Sequence, residues 1–155
     1  MDTNRREFMT LGGLGAAALA MSGSAAMAAE ASAETKAHEE ANIKIVNDFC
    51  AAWDTMDVDK LAAFWDDKIS FRIIEGQPRI EGKAALAEGC KQFLASRKTA
   101  HFEVLRSAAL GNLVIDDRID HYTTDKGKEA FHVTGLFFLR DGKIVEWQDY
   151  SMPKA

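Results

Sequence analysis

With 155 residues, 47% of them apolar, the chain is long enough for one domain with a substantial core. Its formal charge of −5, with no basic stripe and no interleaving of basic and aromatic residues, excludes nucleic acid as a partner.

The first segment is not expected to belong to the globule. "TNRREFMT" (Thr3 to Thr10) sets Arg5 and Arg6 before the weakly apolar run "LGGLGAAALAMSGSAAMA". This resembles a twin-arginine export signal over residues 1–28, cleaved after Ala28, and implies a folded protein delivered to the periplasm. The run is too rich in Gly and Ala to span a bilayer stably, so no membrane insertion is expected after cleavage.

The remaining segment, 29–155, reads as an α+β domain. "EEANIKIVNDFCAAWDTMD" places Ile43, Val46, Phe49, Ala52 and Trp53 on one helical face. Asp57 is expected to cap a second helix, "VDKLAAFWDD", with Leu61, Phe64 and Trp65 inward. "KISFRII" reads as a strand, broken by the Gly and Pro of "EGQPRIEG", and helical spacing returns through Leu86, Cys90, Phe93 and Leu94. Four extended runs follow, roughly 101–109, 112–123, 129–140 and 143–151, separated by "GN", "DKGK" and "RDG". Helices followed by such a meander predict a curved, mostly antiparallel sheet wrapped around the N-terminal helices, a cone with an internal pocket.

"VIDDRIDHY" (Val114 to Tyr122) crowds acids and an arginine into what otherwise reads as a buried strand. Residues two apart share a strand face, so Asp116, Arg118, Asp120 and Tyr122 point together while Leu113, Ile115 and Ile119 form an aliphatic stripe on the other side. That stripe is a candidate homodimer surface. A three-residue "RDG" loop and a two-residue "KG" loop would set Asp120, Val133 and Asp149 in one row across three strands. Their face also holds Phe131, Phe137, Val145 and Trp147, and neighbouring strands spaced about 4.8 Å apart would put the two acids roughly 10 Å apart on a flat sheet. Gly135 marks a place where the sheet bends or where something approaches its backbone.

Two carboxylates joined by a guanidinium suit general acid and general base work on one substrate. On spacing alone, Asp120, Arg118 and Asp149 are equally well a structural ion-pair cluster. His38, His101, His121 and His132 have no metal-ligand spacing, and no serine elbow or phosphate loop occurs, so no metal and no cofactor are expected. Cys50 and Cys90 read as packing residues, with a disulfide after export as the alternative.

"DDRID", followed some thirty residues on by "GLFFLRDGKIVEWQDY", resembles the limonene-1,2-epoxide hydrolase family. That family lies within the cone-shaped superfamily that also holds ketosteroid isomerase and the SnoaL-like cyclases, and "AAWDTMDVDKLAAFWDD" is similar to the superfamily's first two helices. The resemblance implies hydrolysis of a small apolar epoxide to a diol by direct attack of water, without a covalent intermediate. Carried over by motif, Asp120 is the general acid, Arg118 the bridge and Asp149 the base. The residues on their sheet face, Phe131, Val133, Phe137, Val145 and Trp147, together with Phe71, are expected to form the substrate pocket. The family also holds its water with a Tyr and an Asn on the strand after the second helix, where "ISFRII" offers Phe71 and neither of these. A periplasmic carrier of small hydrophobic ligands, or an isomerase or cyclase of the same superfamily, are the other readings.

Overall fold

A computed structural model describes residues 13–73 and 76–151. The twin-arginine pair, Arg5 and Arg6, lies outside the described residues. Contacts divide the chain into residues 1–37 and 38–155, and the second unit carries the sheet, the cavity and every side-chain contact discussed below. No helix among the described residues is long and apolar enough to cross a membrane.

Helix α1 (Gly13–Ala52) passes through a 3-10 turn, Trp53–Thr55, into α2 (Val58–Ala62). Asp57 caps α2 as expected, its Oδ1 accepting from the amides of Asp59 and Lys60 at 3.0 and 3.4 Å. The helix is shorter than its apolar spacing predicts. Trp65 is already in strand β1 (Trp65–Arg72), because the carbonyl of Phe64 accepts from the Ile144 amide and starts a parallel pairing with the last strand. β2 (Ile80–Glu81) and α3 (Lys83–Ala95) follow, and then the meander: β3 (Thr99–Leu110), β4 (Leu113–Thr124), β5 (Gly127–Arg140) and β6 (Lys143–Ser151). The six strands form one sheet in the order β2-β1-β6-β5-β4-β3, antiparallel except for β1 against β6.

The inner face of the sheet packs on α1 and the 3-10 turn. Phe49 is wholly buried, its ring 5.2 Å from Trp147 and 6.0 Å from Phe137, centre to centre. Trp53 stacks on Phe102 at 4.5 Å. Burying each such ring contributes about 1.5–3 kcal/mol, enough to make this contact the anchor of helix to sheet. On the other face Leu113, Ile115 and Ile119 are half-buried.

The strand register departs from expectation by two residues, and the turns explain it. β4 and β5 join through Asp125 and Lys126, not through Lys126 and Gly127, so Asp120 pairs with Phe131. β5 and β6 join through Asp141 and Gly142, both at positive φ (51° and 72°), as a two-residue mirror-image turn requires. A bulge then falls between Phe138 and Leu139, whose partners are Glu146 and Ile144, and Val145 is skipped. Asp149 therefore pairs with Gly135 and Val133 with Arg118, so Asp120, Val133 and Asp149 do not share a row. Because the net slip is even-numbered, side chains outside the bulge keep their faces.

Candidate functional site

The charges of β4 sort by parity. Asp117 faces outward, where His132 Nε2 and Arg106 Nε lie 2.6 and 2.9 Å from its carboxylate. Asp116, Arg118 and Asp120 face inward and are buried. The Arg118 side chain has no solvent exposure and gives each of its nitrogens a carboxylate. Nη1 donates to Asp116 Oδ1 at 2.9 Å, Nε to Asp120 Oδ1 at 2.8 Å, and Nη2 to Asp149 Oδ2 at 2.8 Å and Asp120 Oδ2 at 3.4 Å. Its face lies 4.8 Å from the centre of the Phe102 ring. Since one nitrogen bonds both Asp120 and Asp149, these acids approach more closely than the flat-sheet estimate.

Asp116 is the partner that residue spacing left without a role. Its Oδ1 also accepts from the Gly135 amide at 2.9 Å, and its Oδ2 accepts from Cys50 Sγ at 3.4 Å. The inward alternation of residues 116, 118 and 120 carried the signal. Cys50 and Cys90 are both free, so the disulfide alternative is not the one adopted. Burial pushes both thiols up, Cys90 to about 12.

Gly135 marks a close approach to the backbone. A Cβ there would overlap the Arg118 guanidinium and come within 2.5 Å of Asp116 Oδ1 and 2.6 Å of the Phe137 ring. Gly135→Ala is accordingly expected to destabilise the protein by about 1–3 kcal/mol, as overpacking does. A lowered melting temperature with an unchanged far-ultraviolet spectrum would register it, and an unchanged melt would show that the arginine can move aside.

A cavity of about 380 Å³ opens between the sheet and α3. Asp120 and Asp149 are in its wall; Asp116 and Arg118 sit behind it. Of the residues assigned from sequence to the pocket, Phe71, Phe131, Val133 and Trp147 line it, Phe131 being 44% exposed. Two do not. Phe137 is wholly buried behind Trp147, stacked on it at 6.0 Å, and belongs to the core. Val145 is carried off the inner face by the bulge, and Ile144 takes the buried position instead. Tyr122 adds a polar group to the wall, its hydroxyl 3.5 Å from Asp120 Oδ2. β1 presents Phe71 to the cavity, with Ile73 just past its end, and neither is polar.

The two acids are held differently. Both oxygens of Asp149 accept good bonds, Oδ2 from Arg118 and Oδ1 from Trp147 Nε1 at 2.7 Å. Burial still outweighs these donors and pushes its pKa up to about 6. Burial also raises Asp120, but only its Oδ1 has a close donor. Burial raises Asp116 as well. Burial works against the charge on Arg118, yet the three carboxylates, Asp149 foremost, hold its pKa well above the ordinary value. A single cation among three buried carboxylates favours retention of a proton in the cluster. Among the described residues no group of His, Cys, Asp or Glu is arranged to hold a metal ion.

A helix-backed curled sheet with buried acids at the wall of an apolar cavity defines an α+β cone-fold pocket protein. Residues 46–147 match the SnoaL-like domain model, and the chain belongs to that family. No curated protein matches it. Among solved structures it is similar to an LEH-like epoxide hydrolase from M. tuberculosis, with 26% identity over 74% of this chain and 84% of that one and a TM-score of 0.66. It is also similar to a Jannaschia sp. CCS1 protein named as a SnoaL-like polyketide cyclase, with 13% identity, coverage of 74% and 87%, and a TM-score of 0.65. A Catenulispora acidiphila protein with a ketosteroid isomerase-like fold, solved with trimethylamine, matches at 16% identity, coverage of 68% and 83%, and a TM-score of 0.62.

Proposed function

We propose that this chain, exported by the twin-arginine route, hydrolyses an apolar epoxide to a diol in one step. The observation that carries the reading is the shared guanidinium: Arg118 Nη2 bonds both Asp149 and Asp120, and both acids reach the same apolar cavity. The M. tuberculosis LEH-like epoxide hydrolase adds support as a structural relative.

Asp149, with both oxygens accepting and a pKa near 6, is ionised at neutral pH and serves as the base. Asp120 Oδ2 has only long contacts to donors and carries the proton. A water between them gives its proton to Asp149 as its oxygen attacks an epoxide carbon. The C–O bond breaks and the epoxide oxygen takes the proton of Asp120. The diol leaves, and water exchange returns the proton from Asp149 to Asp120. Asp116, closed off by Gly135 and Cys50, fixes the arginine and takes no part in proton transfer.

Incubating the protein with terpene and aryl epoxides in heavy-oxygen water tests the reading. Diols carrying one labelled oxygen, including under single-turnover conditions, are expected; label entering only after a first unlabelled turnover would indicate a covalent intermediate and remove the one-step scheme. The pH profile of kcat/KM should also fall below about pH 6, where Asp149 takes up a proton and ceases to act as base. A rate that rises as pH drops through this range would reverse the assignment of acid and base.

One observation favours a second reading, a carrier of small hydrophobic ligands. From β1 the cavity receives only Phe71, followed just past the strand's end by Ile73, so no side chain from that strand holds the water. Ligand retention without diol formation across the epoxide panel would select it.

A further inference from the structure

Among the described residues, Arg97 is the only cationic side chain in the cavity wall. It follows α3, and its guanidinium is held 3.4 Å over the Phe93 ring and 5.0 Å from the Tyr122 ring centre. Nη1 donates to the Phe93 carbonyl at 2.6 Å and to Ser96 Oγ at 3.0 Å, both neutral acceptors. Nε is buried without a partner, and no carboxylate among the described residues pairs with this charge. Arg118 is the opposite case, enclosed and fully matched by Asp116, Asp120 and Asp149. The cavity thus has an acidic wall whose cation is already committed, and a second positive group with no counter-ion.

The two lie at different points along the cavity. Inward-facing residues on a strand repeat every 6.6 Å or so. Tyr122 is one such step beyond Asp120 toward the β4–β5 turn, and Arg97 stands against the Tyr122 ring. Between them the lining is mainly apolar: Phe93, Phe102, Phe131 and Val133. We infer that the ligand is an amphipathic carboxylate, its anionic group on Arg97 and its apolar body toward Asp120 and Asp149. For the hydrolase reading, on which only this last step rests, the substrate is then an epoxide of an apolar carboxylic acid, with several carbons between epoxide and carboxylate.

A guanidinium already stacked and half-tethered loses little freedom on binding a carboxylate, and its planar fork matches the two oxygens. The alternative role for Arg97, closing the end of α3 by bonding Phe93, would leave affinity indifferent to ligand charge.

Titration of the intact protein with decanoate and with methyl decanoate, read by the fluorescence of Trp53 and Trp147 in the cavity wall, separates these roles. Decanoate should bind at least about tenfold more tightly than the ester, equivalent to about 1.4 kcal/mol. Arg97→Gln should abolish that ratio while leaving ester affinity within about threefold, and Arg97→Lys, which keeps the charge but not the fork, should retain part of it. Equal binding of acid and ester by the unaltered protein overturns the inference, as does failure of both to bind or an equal loss of both on Arg97→Gln. A preference for decanoate in a protein that hydrates no epoxide would leave this site standing and remove the hydrolase; hydration of neutral epoxides without any acid preference would do the reverse.

Discussion

Replacing Asp149 by Asn should reduce diol formation by about 10²–10⁴-fold, the usual contribution of a positioned general base. The argument rests on its surroundings. Arg118 and Trp147 donate to its two oxygens, and among the described residues no other ionised acceptor in the cavity wall is so placed. The amide oxygen of Asn can keep one donor, but its NH2 must face the other, a mismatch costing about 1–3 kcal/mol. The variant should therefore melt cooperatively at a lower temperature and bind an unreactive ligand with nearly unchanged affinity, while kcat collapses. Kinetics on an epoxide that the unaltered protein hydrates, run beside a thermal melt, would measure both. Hydration at the original rate would remove Asp149 from the mechanism and leave the cluster a structural ion-pair network.

Much of this site was legible because strand parity survives errors of register. Period-two spacing puts Asp120, Arg118 and Asp149 on one face, and a net slip of two residues between each pair of strands, made up of one from the turn and one from the bulge between β5 and β6, leaves that face intact while moving their cross-strand partners. The slip itself was hidden in turn chemistry. Asp141 accepts a left-handed φ, which allows a two-residue turn where a three-residue one was expected, and the compensating bulge expels Val145. Phe137 shared the correct face but lies deeper, against Phe49, and depth along a curved sheet is not encoded in alternation. Cys50 shows the same limit, since its contact with Asp116 spans 66 residues and depends on how the helix crosses the sheet. Arg97, in "ASRK", falls outside the apolar spacing of Leu86, Cys90, Phe93 and Leu94, and only the fold brings it to the cavity wall.

The position of Arg118 makes the cluster depend on one side chain for both stability and chemistry. Arg118→Met removes the cation and leaves three buried carboxylates facing one another, a change expected to cost about 3–5 kcal/mol. For a domain of this size, at about 2–4 °C per kcal/mol, the melting temperature should fall by on the order of 10 °C. The deficit should vary with pH in a defined direction. The three acids already have raised pKa values in the folded protein because of burial, and loss of the guanidinium, which lowers all three, raises them further. An acid whose folded pKa is raised binds more protons folded than unfolded, so stability falls as pH rises from the ordinary carboxylate value through the raised one. Arg118→Met should accordingly lose less at pH 5 than at pH 8. Adding Asp149→Asn should recover part of the loss at pH 8, because it removes one of the unpaired charges, so the double variant should be more stable than the two single costs together imply. Melts of the four proteins at the two pH values close this cycle. Additive costs, or a deficit independent of pH, would mean that the carboxylates do not depend on Arg118 for their charge, and the shared guanidinium would lose its place in the mechanism.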